Sequence, residues 1–408
     1  MQPQPRGFLI VLTMLMLAAC ASQPAPPKPD LSFSDGVFPS PPELQPQVGF
    51  WQQVYASWGR HQVALHDDRY LDLVYGVLTL PGEVGESQTP EQKDFVKGHQ
   101  ENLRAMLRQL ESKVATNAPL TPAEQKLADR IRASSGGPGA IAGVSERLRT
   151  QRGMRERFKR GLEISGRYDA AFREVFREAS LPEDLAYLPH VESSFQNHAA
   201  SSAGAVGMWQ FMPDTARHFG MLNAAVDERR DPVASAQGAA RYLGNAYNRL
   251  GSWPLTLTSY NHGVGGMKNA QQAFGNDFVA IVRSYSGKGF GFASRNFYTE
   301  FLAARDIARN PQRFFPEGVH YESPLNLDRV RLRQAVNSVT LATYYDVSPE
   351  ELVGLNKAWN PAAQNGRIPL PARTLVWLPA GTVERLVQRG GSDRALALAD
   401  PVTTGRMR

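Results

Sequence analysis

The chain has 408 residues, 42% of them hydrophobic and 21% charged, with a formal net charge of +6. That length and balance suit two or three globular domains and exclude a wholly disordered chain. The modest positive charge suits approach to an acidic polymer, whereas the lack of basic runs interleaved with aromatics argues against nucleic acid as a partner.

The N-terminus reads as a targeting signal. Arg6 precedes an apolar run from Phe8 to Ala19, too short to span a bilayer. The run ends in Leu17-Ala-Ala-Cys20, which resembles the lipobox of bacterial lipoproteins. The resemblance implies that residues 1–20 are a signal peptide cleaved before Cys20, that Cys20 carries the lipid, and that the chain is anchored in a membrane. With Ala21 rather than Asp next, it further implies the outer membrane, facing the periplasm. Several acyl chains hold stably where one is marginal. Cys20 is the only cysteine, so no internal disulfide is available.

Prolines are frequent across residues 21–48 and predict an extended tether. Residues 49–164 predict a helical accessory region without visible chemistry. Trp51, Val54, Tyr55 and Trp58 recur at helix spacing, as do Leu103, Met106, Leu107 and Leu110. Pro122 marks a further helix start before Leu127 and Ile131, and the Ser134-Ser-Gly-Gly-Pro-Gly139 run breaks the region.

From 165 to 315 the pattern is again helical, with helices predicted over 170–179, 182–195, 213–219, 232–250, 254–261 and 297–308. In the second of these, Leu185, Leu188, Glu192 and Phe195 fall at offsets 0, 3, 7 and 10, one face of a helix. A carboxylate in an apolar stripe is disfavoured as an anion, so its pKa rises. That is the condition for a general acid near neutral pH. Against this stands the plainer reading of a carboxylate at a helix edge reaching solvent or an arginine.

Four segments in order carry a family resemblance: Glu192-Ser193; Gly204-Ala-Val-Gly-Met-Trp-Gln-Phe-Met-Pro213; Ser259-Tyr-Asn-His-Gly-Val-Gly265; and Ser294-Arg-Asn-Phe-Tyr298. Together they resemble the transglycosylase SLT domain, whose fold is related to goose-type lysozyme. The resemblance implies a mainly α, lysozyme-like catalytic domain acting on peptidoglycan glycan strands. It implies Glu192 as the single catalytic acid, with Ser201, Gln210, Met212, Tyr260, Asn261 and Tyr298 supporting it or binding substrate. Gln210 is expected to bond an acetamido group, Met212 to pack on a sugar face, and Asn261 to hold the Glu192 carboxyl. In strict register Phe297 stands at the family's tyrosine, with Tyr298 one residue on, and Ala293 replaces the usual Glu.

The expected chemistry is cleavage of the β-1,4 bond between N-acetylmuramic acid and N-acetylglucosamine, leaving a 1,6-anhydro end. A hydrolase would need a second carboxylate, for which Asp214 and Asp227 are the nearest candidates. The alternatives are a hydrolytic muramidase and a non-catalytic wall-binding lipoprotein.

No metal or other cofactor is expected: the eight histidines are scattered, and His190 reads as a local hydrogen-bond partner. Residues 325–382 resemble a degenerate LysM-like domain of small α+β type. The expected pieces are a helix over 336–345, a helix start at Ser348-Pro-Glu-Glu-Leu352 and a strand over 374–378, with the usual first strand missing. Residues 383–408 read as a flexible tail, and a monomer is favoured.

Overall fold

The computed structural model describes residues 36–395 and 397–402. The expected signal peptide, the Cys20 lipidation site and the first part of the proline-rich segment lie outside these residues. The described residues divide into two compact units, one of Ser40–Glu156 and one that begins at Arg157 and also takes in residues 36–39. Among the described residues, no helix is long and apolar enough to cross a membrane.

The first unit opens with α1 (Gln45–Ala56). The helix therefore begins inside the stretch expected to be extended, because Pro46 lies in its first turn, where a missing N–H leaves no bond unmade. Strands β1 (Gln62–Asp67) and β2 (Val74–Thr79) follow, then α2 (Pro90–Ala115) and α3 (Pro122–Arg132), then β3 (Leu148–Arg152). Thr89 and Thr121 each form a capping box, with Gln92 and Glu124 respectively. The three strands make an antiparallel sheet in the order β2-β1-β3. The helical reading omitted this sheet for a physical reason. β1 is buried on both faces, so its sequence does not alternate, while β3 is mostly polar.

The second unit is mainly helical. It contains α4 (Arg155–Ser165), α5 (Asp169–Glu178), α6 (Leu188–Glu192), α7 (Pro213–His218) and α8 (Pro232–Leu250). These are followed by α9 (Trp253–His262), α10 (Val264–Phe274), α11 (Phe278–Ser284), α12 (Phe292–Arg309) and α13 (Pro311–Phe314). The longest, α8, is bounded by two strong signals. Asp231 accepts from the N–H groups of Val233 and Ala234 at 2.9 and 2.8 Å, and Gly251 closes the helix at φ 62°. α12 packs against both α6 and α9, and its fully buried Phe301 meets Phe38 of the preceding segment at 5.2 Å.

The chain then forms β4 (Leu327–Leu332), α14 (Ser338–Tyr345), α15 (Pro349–Leu355), α16 (Pro361–Gln364) and β5 (Leu375–Pro379). Ser348 caps α15 by accepting from the Glu351 N–H at 3.1 Å. A first strand is thus present, as β4, where the sequence reading found none. The expected flexible tail is also corrected: α17 spans Thr382–Ala395, and β6 (Ala399–Pro401) pairs with β4 in a sheet ordered β5-β4-β6. Val383 and Leu386 pack on the local core and Ala399 is buried within it, which is burial that the polar composition of this stretch concealed.

Candidate active site

Glu192 closes α6, and the backbone reverses immediately after it. The expected single helix over 182–195 is instead a short 3₁₀ turn (Glu183–Tyr187), then α6, then two consecutive left-handed residues, Ser194 at φ 54° and Phe195 at φ 59°. Non-glycine residues in that region cost about 1–2 kcal/mol each. The reversal is held by packing: Phe195 is buried against Phe172 and His190 at ring separations of 6.0 and 4.5 Å. Ser193 Oγ donates to the Met208 carbonyl at 2.9 Å. Gly161 on α4 lies so close that a Cβ there would stand 2.9 Å from the Ser194 carbonyl oxygen.

The glycine-rich run folds as an irregular hairpin over the same region, with bridges Ala200 to Val206 and Val206 to Phe211. Gly207 (φ 83°) is required there, since a Cβ would meet the Arg229 carbonyl oxygen at 1.9 Å. Arg229 fastens the hairpin. It grips Asp227 through two bonds of 2.8 and 2.9 Å and donates to the carbonyls of Gly204 and Phe211 at 3.1 and 3.3 Å. Trp209 is fully buried, and its carbonyl accepts the Tyr260 hydroxyl at 2.8 Å, tying the hairpin to α9.

Glu192 itself is half-buried. Desolvation raises its pKa from the ordinary 4.5 to about 8, with the charge of Glu300 on α12 the second cause. Tyr260 is held well above its usual pKa, first by burial and then by the Glu192 charge, so the two side chains share one electrostatic environment. The Phe297 ring lies nearly parallel to that of Tyr260, 6.5 Å away.

The remaining expected residues are placed as follows. Ser201 Oγ accepts from the Ala205 N–H at 3.0 Å and so shapes the hairpin. Gln210, at φ 48°, donates to the Gly207 and Ala199 carbonyls at 2.7 and 3.3 Å. Met212 precedes α7 with 42% of its surface exposed, an unusual position for so large an apolar side chain. Asn261 Oδ1 accepts the Ser294 hydroxyl at 2.7 Å, rather than the amide holding Glu192 as expected.

Tyr298 is completely buried, and its hydroxyl donates to the Pro39 carbonyl at 2.8 Å. A one-residue step on α12 turns a side chain by about 100°, so it is Phe297 that faces Tyr260. Of the candidate second carboxylates, Asp214 is exposed and paired with Arg217, and Asp227 is committed to Arg229. Sequence reasoning missed Glu300. The available signal was its place seven residues after Ala293, on the same helix face as the acidic position of the resembling family. His190, expected as a local hydrogen-bond partner, has its Nδ1 unpartnered among the described residues; its ring stacks on Phe158 at 5.1 Å, and burial pushes its pKa down to about 3. Among the described residues no group of three His, Cys, Asp or Glu side chains is placed to hold a metal ion.

The sequence profile of the Transglycosylase SLT domain matches residues 170–278. The membrane-bound lytic murein transglycosylase D of Escherichia coli (strain K12) is 30% identical over 188 residues, covering 44% of this chain and 40% of that one. The membrane-bound lytic murein transglycosylase F 2 of Alkalilimnicola ehrlichii is 35% identical over 114 residues, 26% of this chain and 24% of the relative. The chain thus spans less than half the length of these relatives. The 70 kDa soluble lytic transglycosylase of Escherichia coli aligns in structure over 59% of this chain and 34% of its own, at 16% identity and a TM-score of 0.31. The segment that holds Glu192, the hairpin and Tyr260 is a transglycosylase SLT domain, and through it the chain is homologous to membrane-bound lytic murein transglycosylase D.

Proposed function

We infer that this chain is a lytic transglycosylase that cuts peptidoglycan glycan strands, with Glu192 acting first as acid and then as base. The observation that carries the reading is a half-buried carboxyl whose pKa of about 8 keeps it protonated at neutral pH. Glu192 gives its proton to the glycosidic oxygen between N-acetylmuramic acid and N-acetylglucosamine, and the C1–O bond breaks to leave an oxocarbenium-like sugar. The Glu192 carboxylate then takes the proton from the C6 hydroxyl of that sugar, and O6 bonds to C1. The nucleophile is tethered, so its effective concentration is high and no water is consumed. Met212 offers an apolar face to a sugar ring, and Ser201, Gln210, Tyr260 and Asn261 hold the hairpin, α9 and α12 in place. Tyr298 anchors α12 through its hydroxyl.

Glu300 favours a second reading, hydrolysis, because a carboxylate near the acid is what a muramidase needs. Mass spectrometry of the fragments released from purified murein sacculi separates the two. Anhydro ends support the transglycosylase, and reducing N-acetylmuramic acid ends support the hydrolase. Glu192→Gln is expected to lower the rate by about 10²–10⁴-fold; a variant that clears sacculi at the unaltered rate removes Glu192 from the mechanism. Anchoring to the envelope through a lipid on Cys20 belongs to the same proposal. Incorporation of labelled palmitate that vanishes in Cys20→Ser supports it, and equal labelling of the variant refutes it.

A further inference from the structure

An open groove of about 540 Å³ lies between α5, α8 and the edge of the β4–β5 pair, lined by residues to which the proposed reaction gives no part. Three arginines converge on it: Arg241 from α8, Arg331 from β4 and Arg373 from the turn before β5. Among the described residues, none of the three forms an ion pair. Their side-chain bonds are weak or borrowed. Arg241 reaches the Phe219 carbonyl at 3.4 Å, and Arg331 reaches Gln237 Oε1 and the Arg373 carbonyl at 3.2 and 3.1 Å. Like charges gathered in one place destabilise a folded protein.

The backbone bears a cost as well. Arg373 sits at φ 72°, a conformation that L-residues avoid and that clusters at binding and catalytic sites. Glycine at this turn would relieve it, yet the chain places a cationic side chain there. Burial, and after it the opposing pull of Glu228 and the push of Arg331 and Arg373, leaves the Arg241 guanidinium below its ordinary pKa. Glu228, the nearby carboxyl, is itself pushed up to about 7, mainly by burial, and so neutralises the cluster incompletely.

The rest of the lining narrows the ligand. Asn245 and Asn248 present amides that both donate and accept, which suits peptide groups. Phosphate offers only acceptors. Glu178 supplies a lone carboxylate, suited to an ammonium, and Val175 and Leu181 give an apolar floor. Guanidinium forks match carboxylates in a bidentate manner. We propose that this groove binds a short acidic peptide carrying two or more carboxylates and one free ammonium, clamped by Arg241, Arg331 and Arg373. The stem peptides of peptidoglycan have this chemistry; that identification of the source, though not the site, rests on the function proposed above.

Isothermal titration of the full chain with the synthetic tripeptide N-acetyl-L-alanyl-γ-D-glutamyl-meso-diaminopimelic acid, whose single free ammonium is that of the diaminopimelate, tests it. Binding is expected to weaken by at least about ten-fold in Arg241→Gln/Arg373→Gln, in Asn248→Asp, and when every carboxylate of the peptide is amidated. Inorganic phosphate at equal concentration is expected not to displace the peptide. Thermal melts accompany each variant, and Glu178→Gln serves as a fold-neutral control in which a peptide lacking the ammonium binds no worse than the complete one. Equal binding of the acid and amidated peptides, wild-type affinity in folded arginine variants, displacement by phosphate, or no binding at millimolar peptide overturns the proposal. Cleavage is a separate readout. Protein that binds the peptide but releases no glycan fragments counts against the proposed reaction alone, and protein that cuts without binding counts against the groove alone.

Discussion

At Glu192 the decisive quantity is a proton affinity. The folded pKa of about 8 lies above the ordinary 4.5, so the acid is mostly neutral at pH 7 and ionises as the pH climbs through about 8. Cleavage by the free enzyme is therefore expected to fall with unit slope above about pH 8. Glu300→Gln removes a neighbouring negative charge and should move that limb to lower pH, leaving its slope unchanged. A limb that stays in place shows that Glu300 does not act on Glu192. The same shift has a stability consequence with a fixed sign. A carboxyl whose folded pKa is raised contributes fully below the unfolded value and loses that contribution as pH rises from 4.5 to 8. Gln imitates the neutral acid at every pH. Glu192→Gln should thus stabilise the fold by about 2–4 kcal/mol at pH 8 and by nothing at pH 4, less than the full shift because the residue is partly open to solvent. Urea unfolding at the two pH values checks this.

At the level of elements, the site depends on two close backbone approaches at glycines, Gly161 beside the Ser194 carbonyl and Gly207 beside the Arg229 carbonyl. Gly207 combines φ 83° with an Arg229 carbonyl 1.9 Å from the site of an added Cβ. Gly207→Ala is therefore expected to cost about 3–5 kcal/mol and most of the activity, since the hairpin must move off Arg229. Gly220→Ala, where nothing lies within 4 Å, is the control for positive φ alone; equal losses in both would remove the clash from the explanation. These elements also show what a sequence discloses. α8 was legible to the residue, because an Asp-Pro start and a glycine stop are local signals. The region around Glu192 was legible as an apolar stripe, since Leu185, Leu188 and Phe195 are all buried. Its path was not, because the turn at Ser194 and Phe195 is imposed by tertiary packing against Gly161 and Phe172. Tyr298 misled for a related reason. Its chemistry fitted the site, but its angular position on α12 sends the hydroxyl to Pro39, a partner 259 residues away in sequence. Glu300 was hidden likewise, being linked to Glu192 only through the packing of α12 on α6.

Across the second unit, the sheet-containing C-terminal part and the SLT domain share structure rather than a simple boundary. Ala225 and Val226, from the loop before α8, sit in the same buried cluster as Leu341, Leu352, Leu370, Val376 and Leu378. Val226 forms a bridge with Trp359, and the Asp227 N–H donates to the Ala358 carbonyl at 2.7 Å. Asp231 joins the two parts most directly. One of its oxygens caps α8 while the other accepts the Trp377 indole N–H at 2.5 Å. The residue that starts the longest helix of the SLT domain is thus oriented by a strand of the C-terminal part. Trp377→Phe keeps the ring but leaves a buried carboxylate oxygen without its donor, which costs about 1–3 kcal/mol. Because the loss falls on the α8 cap, the expected result is a single cooperative unfolding transition at a lower temperature, with the SLT domain and the C-terminal part melting together. Calorimetry of the variant decides the matter. Two separated transitions, with the first confined to residues after 325 by hydrogen exchange, would mean that the C-terminal part is an independent module and that the Asp231–Trp377 bond merely decorates its surface.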